Sequence, residues 1–418
     1  MFYQTRFKEV LNMLDEKTIS IVQSTAPVLK EHSKEIGLRF YKLLFEKAPD
    51  LYNVFNQTNQ KRGIQQEALG YAVYAAGEHI TNLDALKPVI ERISQKHRAI
   101  GIKAEQYPVV GETLLQAVKD VLGDAATDEI INAWGKAYGY ISDAFISLEE
   151  KLYEETKNQI GGWEGYKDFF VDKRVKESED VTSLYLKPKD KKEIATYKPG
   201  QYLTIKAMIP GETYTHIRHY SLSDAPGKDY YRISIKREDE HQNTPEGIVS
   251  NYLHNEIKEG DTLQFSAPAG DFVLDNKKTP LVLVSGGIGI TPILSMLNSV
   301  VLEQSNRQVT FIYATRNSKH HPFKDHINQL ESSHTNIKTL VCYDSPSGED
   351  KQGVDFDKKG YIDKELLSSA IRDKNIDVYL CGSIPFMESV IKILETAGVP
   401  GESIHYESFS PLAILGEE

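Results

Sequence analysis

The chain has 418 residues, too many for one ordinary hydrophobic core, and its length points to roughly two to four domains. Its 49 basic and 60 acidic residues leave a formal net charge of −11, which argues against a nucleic-acid partner, whose binding rests on neutralised phosphates. Two cysteines, Cys342 and Cys381, stand far apart, which fits a reducing compartment and excludes a Cys-based zinc or iron–sulfur site.

The N-terminal MFYQTRFKEVLNML lacks the continuous apolar stretch of a signal peptide. Apolar runs such as PLVLVSGGIGITPIL are broken by glycines and fall short of a membrane span. The expectation is a soluble, cytoplasmic protein without stable membrane insertion. From about residue 14 to 157 the pattern is helical, with apolar spacings such as Ile19, Val22, Ala26 and Leu29. Asp50, Asn56 and Asn82 punctuate it, and Pro49 and Pro108 sit where helices begin. An all-α domain of about six or more helices is predicted.

Within it, RISQKHRAIGIKAEQYPVVGE places His97 near the end of a helix that breaks at Gly101 and restarts before Tyr107. Such a histidine is more often a cation favoured by the helix dipole, or a satisfied core group, than a metal ligand. Position alone leaves all three readings open.

At IGGWEG, residues 160–165, the texture changes. Short alternating runs rich in β-branched and aromatic residues follow: FFVDKRV, SLYLKP, QYLTIKAMI with Tyr202, and YYRISIKRE. They predict an antiparallel barrel from about 163 to 275. From Thr279 the rhythm becomes strand then helix, in PLVLVSGG, QVTFIYATR, IKTLVCYD and DVYLCGS. This is βαβ architecture with a parallel sheet, whose ligands bind at the carboxyl ends of the strands. No internal repeat or low-complexity segment interrupts the chain.

Four segments carry chemistry. In LVLVSGGIGITPILSML, Gly286, Gly287 and Gly289 let backbone approach a ligand, and the helix opening near Thr291 and Pro292 offers free N–H groups to an anion. Pro292 stands where GxGxxG has its last glycine, and a tight turn without ligand is the alternative. In RHYSLS, Arg218 suits a phosphate, Tyr220 a flat ring and Ser221 a ring nitrogen. The alternative there is a plain strand with Arg218 and Tyr220 on one face and His219 and Ser221 on the other. EGIVSNYLH sets Gly247 and Ser250 at a helix start, a second anion site. LCGSIPFM ends a strand at Cys381 and Gly382, facing the same crevice as Gly287.

The order of these segments resembles the ferredoxin-reductase type of flavin and nicotinamide module. A hydride brings two electrons and most metal centres accept one, so a helical domain with one well-placed histidine is a candidate haem holder. The whole chain, from about Met13 to Pro411, resembles the flavohaemoglobins: a globin fused to an FAD and NAD(P)H reductase. The segments RFYKLLFEKAPDLYNVFNQTNQKRGIQQEAL, QKHRAIGIKAEQYPVVGE and AWGKAYGYISDAFISLEEKLY carry the globin part.

The resemblance implies an all-α globin over 1–160 with a short N-terminal extension, an FAD-binding β-barrel over 161–275 and an α/β parallel-sheet NAD(P)H domain over 276–418. It implies haem b with His97 as proximal ligand, Tyr107 and Glu149 orienting that imidazole, and Lys96 tuning the haem potential. On the opposite face it places Tyr41 and Gln65 as donors to bound oxygen, with Leu69 and Phe55 packing on the macrocycle. FAD is implied at Tyr202, Arg218, His219, Tyr220, Ser221, Gly247, Ile248, Val249 and Ser250. NADH, with NADPH also accepted, is implied at Gly287, Ile288, Gly289, Ile290, Thr291, Pro292, Cys381 and Gly382. The C-terminal HYESFSP contributes Glu407, Ser408, Phe409, Ser410 and Pro411, with Phe409 over the flavin; Ser408 and Ser410 replace the more frequent cysteine and glycine.

The implied activity is a nitric oxide dioxygenase that takes O2 and nitric oxide as small-molecule substrates. A monomer is expected, with room for a lipid or apolar ligand in the haem pocket. The rival readings are a haem-based oxygen or nitric oxide binder or sensor kept ferrous by its reductase, and a flavin reductase of ferric iron or quinones. After the strand VTFIYAT, where dinucleotide folds often hold an acidic residue for the ribose 2′-hydroxyl, stand Thr315, Arg316, Asn317 and Lys319. Without a carboxylate there, NADPH use alongside NADH is expected, with Arg316 gripping the 2′-phosphate.

Overall fold

The Asp15 carboxylate accepts the Thr18 amide at 2.8 Å and so starts α1 (Glu16–Glu31), whose Val22, Ala26 and Leu29 are buried. The structure, a computed structural model, describes residues 14–61, 63–240, 245–303, 306–371 and 375–409. The N-terminal extension at 1–12, Ser410 and Pro411 lie outside the described residues. The chain divides into two compact units, Met1–Gln159 with Pro210–Ile217, and Ile160–Ile209 with Arg218–Glu418.

In the first unit α1 is followed by α2 (Ser33–Lys47), α3 (Gln57–Lys61), α4 (Ile64–Glu78), α5 (Lys87–Ile100), α6 (Tyr107–Leu122) and α7 (Asp128–Asn158). Their apolar faces close over Phe40, Leu44, Ala117, Trp134 and Ala137. A side chain at Gly37 would bring its Cβ to 2.7 Å from the Gln66 carbonyl, so α2 and α4 approach at backbone distance. Tyr41 lies one turn beyond Gly37 on the same helix face, which sets its ring towards α4. At the end of α5, Gly101 adopts φ +89°, and the amides of Gly101 and Ile102 both donate to the His97 carbonyl at 2.9 Å. That left-handed stop favours glycine and turns the chain straight into α6, with Tyr107 and Pro108 in its first turn.

Beyond Gln159 come β1 (Tyr166–Lys176), β2 (Val181–Pro188), β3 (Tyr202–Ala207), β4 (His216–Ser221, its first two residues grouped with the first unit), β5 (Tyr231–Lys236), α8 (Ile248–Asn255) and β6 (Thr262–Ser266). The strands run in the order β4-β3-β6-β1-β2-β5. A bridge between Leu222 and Ile233 brings the two ends together, closing an antiparallel barrel around Phe169, Leu184, Leu203, Ile233 and Phe265.

Then come β7 (Leu281–Gly286), α9 (Ile290–Glu303), β8 (Val309–Thr315), α10 (Lys324–Ser333), β9 (Ile337–Tyr343), β10 (Lys358–Lys359), α11 (Lys364–Ala370), β11 (Asp377–Cys381), α12 (Ile384–Thr396) and β12 (Ile404–Glu407). They form a parallel sheet of order β10-β9-β8-β7-β11-β12. Leu281 and Leu283 face the core shared with α9, and Val282 and Val284 the core shared with α12. Coverage on both faces is why PLVLV reads as an unbroken apolar run rather than an alternating one.

The barrel and this sheet keep the separate hydrophobic cores of two domains and pack into one compact unit. Asp224, just beyond β4, explains why. Its carbonyl accepts from Tyr197 Oη and from Ser295 Oγ of α9, both at 2.6 Å. Its carboxylate accepts from Tyr230 Oη at 2.8 Å and Asn298 Nδ2 at 3.1 Å, and lies 3.7 Å from the buried Arg232 guanidinium. Burial pushes the Asp224 carboxyl up, but Arg232 and Tyr230 outweigh it and hold the group below the usual carboxylate range.

Removing one member of a buried ion pair costs ~3–5 kcal/mol. Asp224→Ala should therefore lower the unfolding midpoint of this unit and, in denaturant titration, cost about that amount. The folded carboxyl is the more acidic, so its stabilisation is present above the ordinary value of about 3.9 and fades as pH falls through the lower folded value. The gap between wild type and variant should narrow in that acid range; equal stability at neutral pH would remove Asp224 from this role.

Candidate functional site

In the first unit α5 presents His97, α6 Tyr107 and α7 Glu149. Glu149 is buried, and one of its oxygens, Oε1, accepts from His97 Nδ1 and from Tyr107 Oη, each at 2.7 Å. Tyr107 Oη is also 3.1 Å from His97 Nδ1, so the three groups form a closed triangle. A carboxylate offers only lone pairs, which assigns the proton to Nδ1 and leaves Nε2 with its lone pair free to ligate. Burial first, then the Glu149 charge, push the Tyr107 hydroxyl far above its ordinary acidity range, so it stays a donor. The Tyr138 hydroxyl donates to the Tyr107 carbonyl at 2.7 Å and that of Tyr153 to the Ile102 carbonyl at 2.7 Å, which pins the connection between α5 and α6. Phe145 packs on the imidazole with ring centres 5.9 Å apart, and Lys96 is half-buried beside it.

Tyr41 is 5% exposed, edge-on to Phe55 at 5.4 Å and to Phe40 at 4.9 Å. Burial pushes its hydroxyl above the ordinary range, while hydrogen bonds with Gln65 and Gln60 act the other way. Leu69, one turn beyond Gln65, packs on the same core. Gln66 donates to Gln60 Oε1 at 3.0 Å, yet Gln57 Nε2 and Gln66 Oε1 are buried without a partner among the described residues. Buried amide atoms of this kind mark a place shaped for a polar ligand. A histidine with a fixed tautomer and a cluster of amide and hydroxyl donors fit what haem with a diatomic ligand needs. Gln60 is a member that sequence reading missed, because NQTNQKRGIQQ reads as a polar turn.

In the barrel, β4 turns Arg218 and Tyr220 to one side and His219 to the other, where its Nδ1 lies 2.8 Å from Thr204 Oγ1 and its ring 4.7 Å from that of Tyr202. Burial pulls the Arg218 guanidinium below the ordinary arginine value, a cost that a bound anion would relieve. Ser221 is buried at the end of the strand. Gly247 caps α8, where Ile248, Val249 and Ser250 form the first turn, and Ser250 Oγ donates to the Gly247 carbonyl at 3.1 Å. A cation, a flat ring and a helix start suit the phosphates and ring of a flavin nucleotide.

In the parallel sheet, Gly287, Ile288 and Gly289 make one tight turn between β7 and α9, with Gly287 at φ +53°. A side chain at Gly289 would overlap the Cys381 carbonyl, so this turn and the Cys381–Gly382 turn touch through backbone. Ile290, Thr291 and Pro292 open α9 and are buried. The Phe386 ring covers Gly286 and Gly382. β12 pairs with β11 so that Glu407 stands beside Cys381, whose thiol is pushed well up by burial and by that carboxylate. Ser408 and Phe409 follow, with Phe409 53% exposed. Arg316 is not a loose cation: its Nη2 lies 3.2 Å from Asp180 Oδ2, in the turn between β1 and β2. No local pattern in the sequence points to that pairing, since the partners are 136 residues apart.

Three family profiles match the chain: Globin over residues 38–145, Oxidoreductase FAD-binding domain over 168–274 and Oxidoreductase NAD-binding domain over 283–392. The flavohemoprotein of Oceanobacillus iheyensis is 52% identical over 401 residues, 96% of this chain and 97% of its own length. Among solved structures, the flavohemoglobin of Malassezia yamatoensis with bound FAD and heme superposes with a TM-score of 0.82 at 28% identity, over 95% of this chain and 99% of its own. The FAD/NAD-binding domain of the nitric oxide dioxygenase of Vibrio cholerae is 37% identical over 58% of this chain and 98% of its own, with a TM-score of 0.53. The chain therefore belongs to the flavohemoprotein family, a globin continued by FAD-binding and NAD-binding oxidoreductase domains.

Proposed function

We propose that the protein is a nitric oxide dioxygenase that uses NADH to turn O2 and nitric oxide into nitrate. The observation that carries the reading is the closed triangle of His97, Tyr107 and Glu149, in a chain that also holds Tyr41 and Gln65 together and continues into FAD-binding and NAD-binding domains. The 37% identity of its second unit to a nitric oxide dioxygenase domain supports it.

When bound, NADH supplies hydride, FAD divides the electron pair and haem iron supplies the centre at which dioxygen meets nitric oxide. His97 would hold the iron through Nε2, with Lys96 beside it. Glu149, accepting the Nδ1 proton at 2.7 Å, gives the imidazole partial imidazolate character and makes it a stronger electron donor. Tyr107 keeps that carboxylate on the imidazole by donating to the same oxygen. Tyr41, held protonated by burial, and Gln65 supply hydrogen bonds to charge that develops on the distal side. Phe55 and Leu69, packed against the same core, would line that face.

Arg218, Tyr202, His219, Tyr220, Ser221 and the Gly247–Ser250 turn would hold the flavin nucleotide. The Gly287–Pro292 turn with Cys381 and Gly382 would hold the pyrophosphate and nicotinamide side of NADH, with Glu407 to Phe409 beside it. A simple oxygen or nitric oxide sensor needs no such electron-donating triangle, and a flavin reductase of iron or quinones needs neither it nor Tyr41.

The test is NADH-driven nitric oxide consumption in air with nitrate as product. His97→Ala should abolish it together with the haem Soret band while flavin absorbance remains; retention of a native Soret band would remove His97 as ligand. Losing a hydrogen bond to a charged partner costs ~1.5–3 kcal/mol. Tyr41→Phe should therefore release O2 roughly ten- to a hundredfold faster in flash photolysis or stopped flow. An unchanged off-rate would count against Tyr41 as the donor.

A further inference from the structure

The glycine turn after β7 and the end of β8 lie side by side: in the parallel register Gly286 pairs with Ala314, so Thr315 and Arg316 flank the turn. In open α/β folds this is where the adenosine ribose meets the protein, and a carboxylate at the end of the second strand selects the 2′-hydroxyl over the 2′-phosphate. Here the segment Thr315-Arg316-Asn317 carries none.

A carboxylate nevertheless stands there, delivered from the barrel. Asp180 Oδ2 is 3.2 Å from Arg316 Nη2, and Oδ1 is 3.1 Å from His320 Nδ1. Ser178 Oγ donates to Oδ1 at 3.0 Å, the Arg237 amide donates to the Asp180 carbonyl at 2.7 Å, and the Glu179 amide donates to the Lys319 carbonyl at 2.9 Å. The turn between β1 and β2 is thus fastened both to the barrel and to the loop after β8, and the Asp180 side chain, 10% exposed, cannot swing away. Burial pushes its carboxyl up, but the hydrogen bonds from His320 and Ser178 outweigh this, so it is charged at neutral pH. Arg316 remains 51% exposed, open on its outer side.

Building on the NADH-dependent reading above, we propose that Asp180 is a cofactor-selecting residue: it neutralises Arg316 and turns the 2′ side of the adenosine pocket from a phosphate grip into a site for an unphosphorylated ribose. The ribose 2′-substituent is the chemical group discriminated. An arginine already paired with a carboxylate has one face of its fork occupied, and an incoming 2′-phosphate meets the carboxylate charge behind it. Arg316 alone would favour NADPH; Arg316 bound to Asp180 favours NADH. This revises the expectation from the sequence, in which Arg316 acts unopposed.

The test measures the 2′-phosphate directly. Calorimetric titration of the holoprotein with adenosine 2′,5′-bisphosphate and with AMP reports the subsite without turnover. NADH- and NADPH-driven reduction of ferricyanide reports it in catalysis, without haem chemistry. Asp180→Asn should tighten the bisphosphate relative to AMP, and raise kcat/KM for NADPH relative to NADH, by about tenfold. The double variant Asp180→Asn with Arg316→Gln should lose that gain. Arg316→Gln alone, at a half-exposed position that threatens the fold little, should leave Asp180 unopposed and lower NADPH use selectively.

An unchanged bisphosphate-to-AMP ratio in Asp180→Asn would overturn the proposal, as would equal losses for both nucleotides in Asp180→Asn or in Arg316→Gln. Were the protein to turn over no nitric oxide, the dioxygenase reading would fail while these ratios still decided the role of Asp180.

Discussion

A single carboxylate oxygen, Oε1 of Glu149, organises the first unit's chemistry. It accepts from His97 and from Tyr107 at the same 2.7 Å, and it does so in a buried place where an unpaired charge would be costly. Three helices must meet for this to happen. The left-handed stop at Gly101 ends α5 within one turn of His97 and sends the chain into α6 at Tyr107, while the length of α7 carries Glu149 to the same spot. The geometry fixes which imidazole nitrogen bears the proton, and with it which nitrogen is left for a metal.

The same device recurs in the second unit, with different consequences. Asp224 gathers Arg232, Tyr230 and α9 around one loop and so joins the barrel to the parallel sheet. Asp180 fastens the turn after β1 to the loop after β8. In each case a carboxylate from one element settles what a group on a distant element can do. Glu149 orients a histidine, whereas Asp180 pairs with an arginine. The glycines act in the opposite sense, by absence of a side chain: Gly37 admits α4 against α2, and Gly289 admits the Cys381 turn against the one after β7.

Much of this architecture is legible in the sequence because it is written locally. Helical spacing marks the longer helices of the first unit, though not the polar α3, and alternation marks the barrel strands. The apolar runs of β7 to β9 and β11 mark a sheet covered on both faces. The helix stop at Gly101, the turn at Gly287 and the helix start at Gly247 are likewise local, since each depends on one residue type at one place. The triangle around His97 is not legible locally, because its partners lie 10 and 52 residues away and only the family pattern names them. Gln60 is hidden in a run of polar residues, and its pairing with Tyr41 exists only once α2 and α3 have come together. The joining of barrel and sheet into one unit hinges on Asp224, a residue that reads as an ordinary turn aspartate. Arg316 reads as a free cation until the barrel supplies Asp180. Periodicity carries information about elements, and charge pairing across elements lies beyond it.

Glu149 is proposed as the partner that makes His97 a stronger electron donor, and the iron–histidine stretching band of the ferrous, haem-loaded protein reports that directly. Resonance Raman spectra of wild type and Glu149→Gln should differ. The wild-type band should sit at the high frequency expected of an imidazole with partial imidazolate character, and the variant's should fall to that of a neutral histidine, with haem content unchanged. A band at the same frequency in both proteins would contradict the claim that the carboxylate sets the character of the ligand.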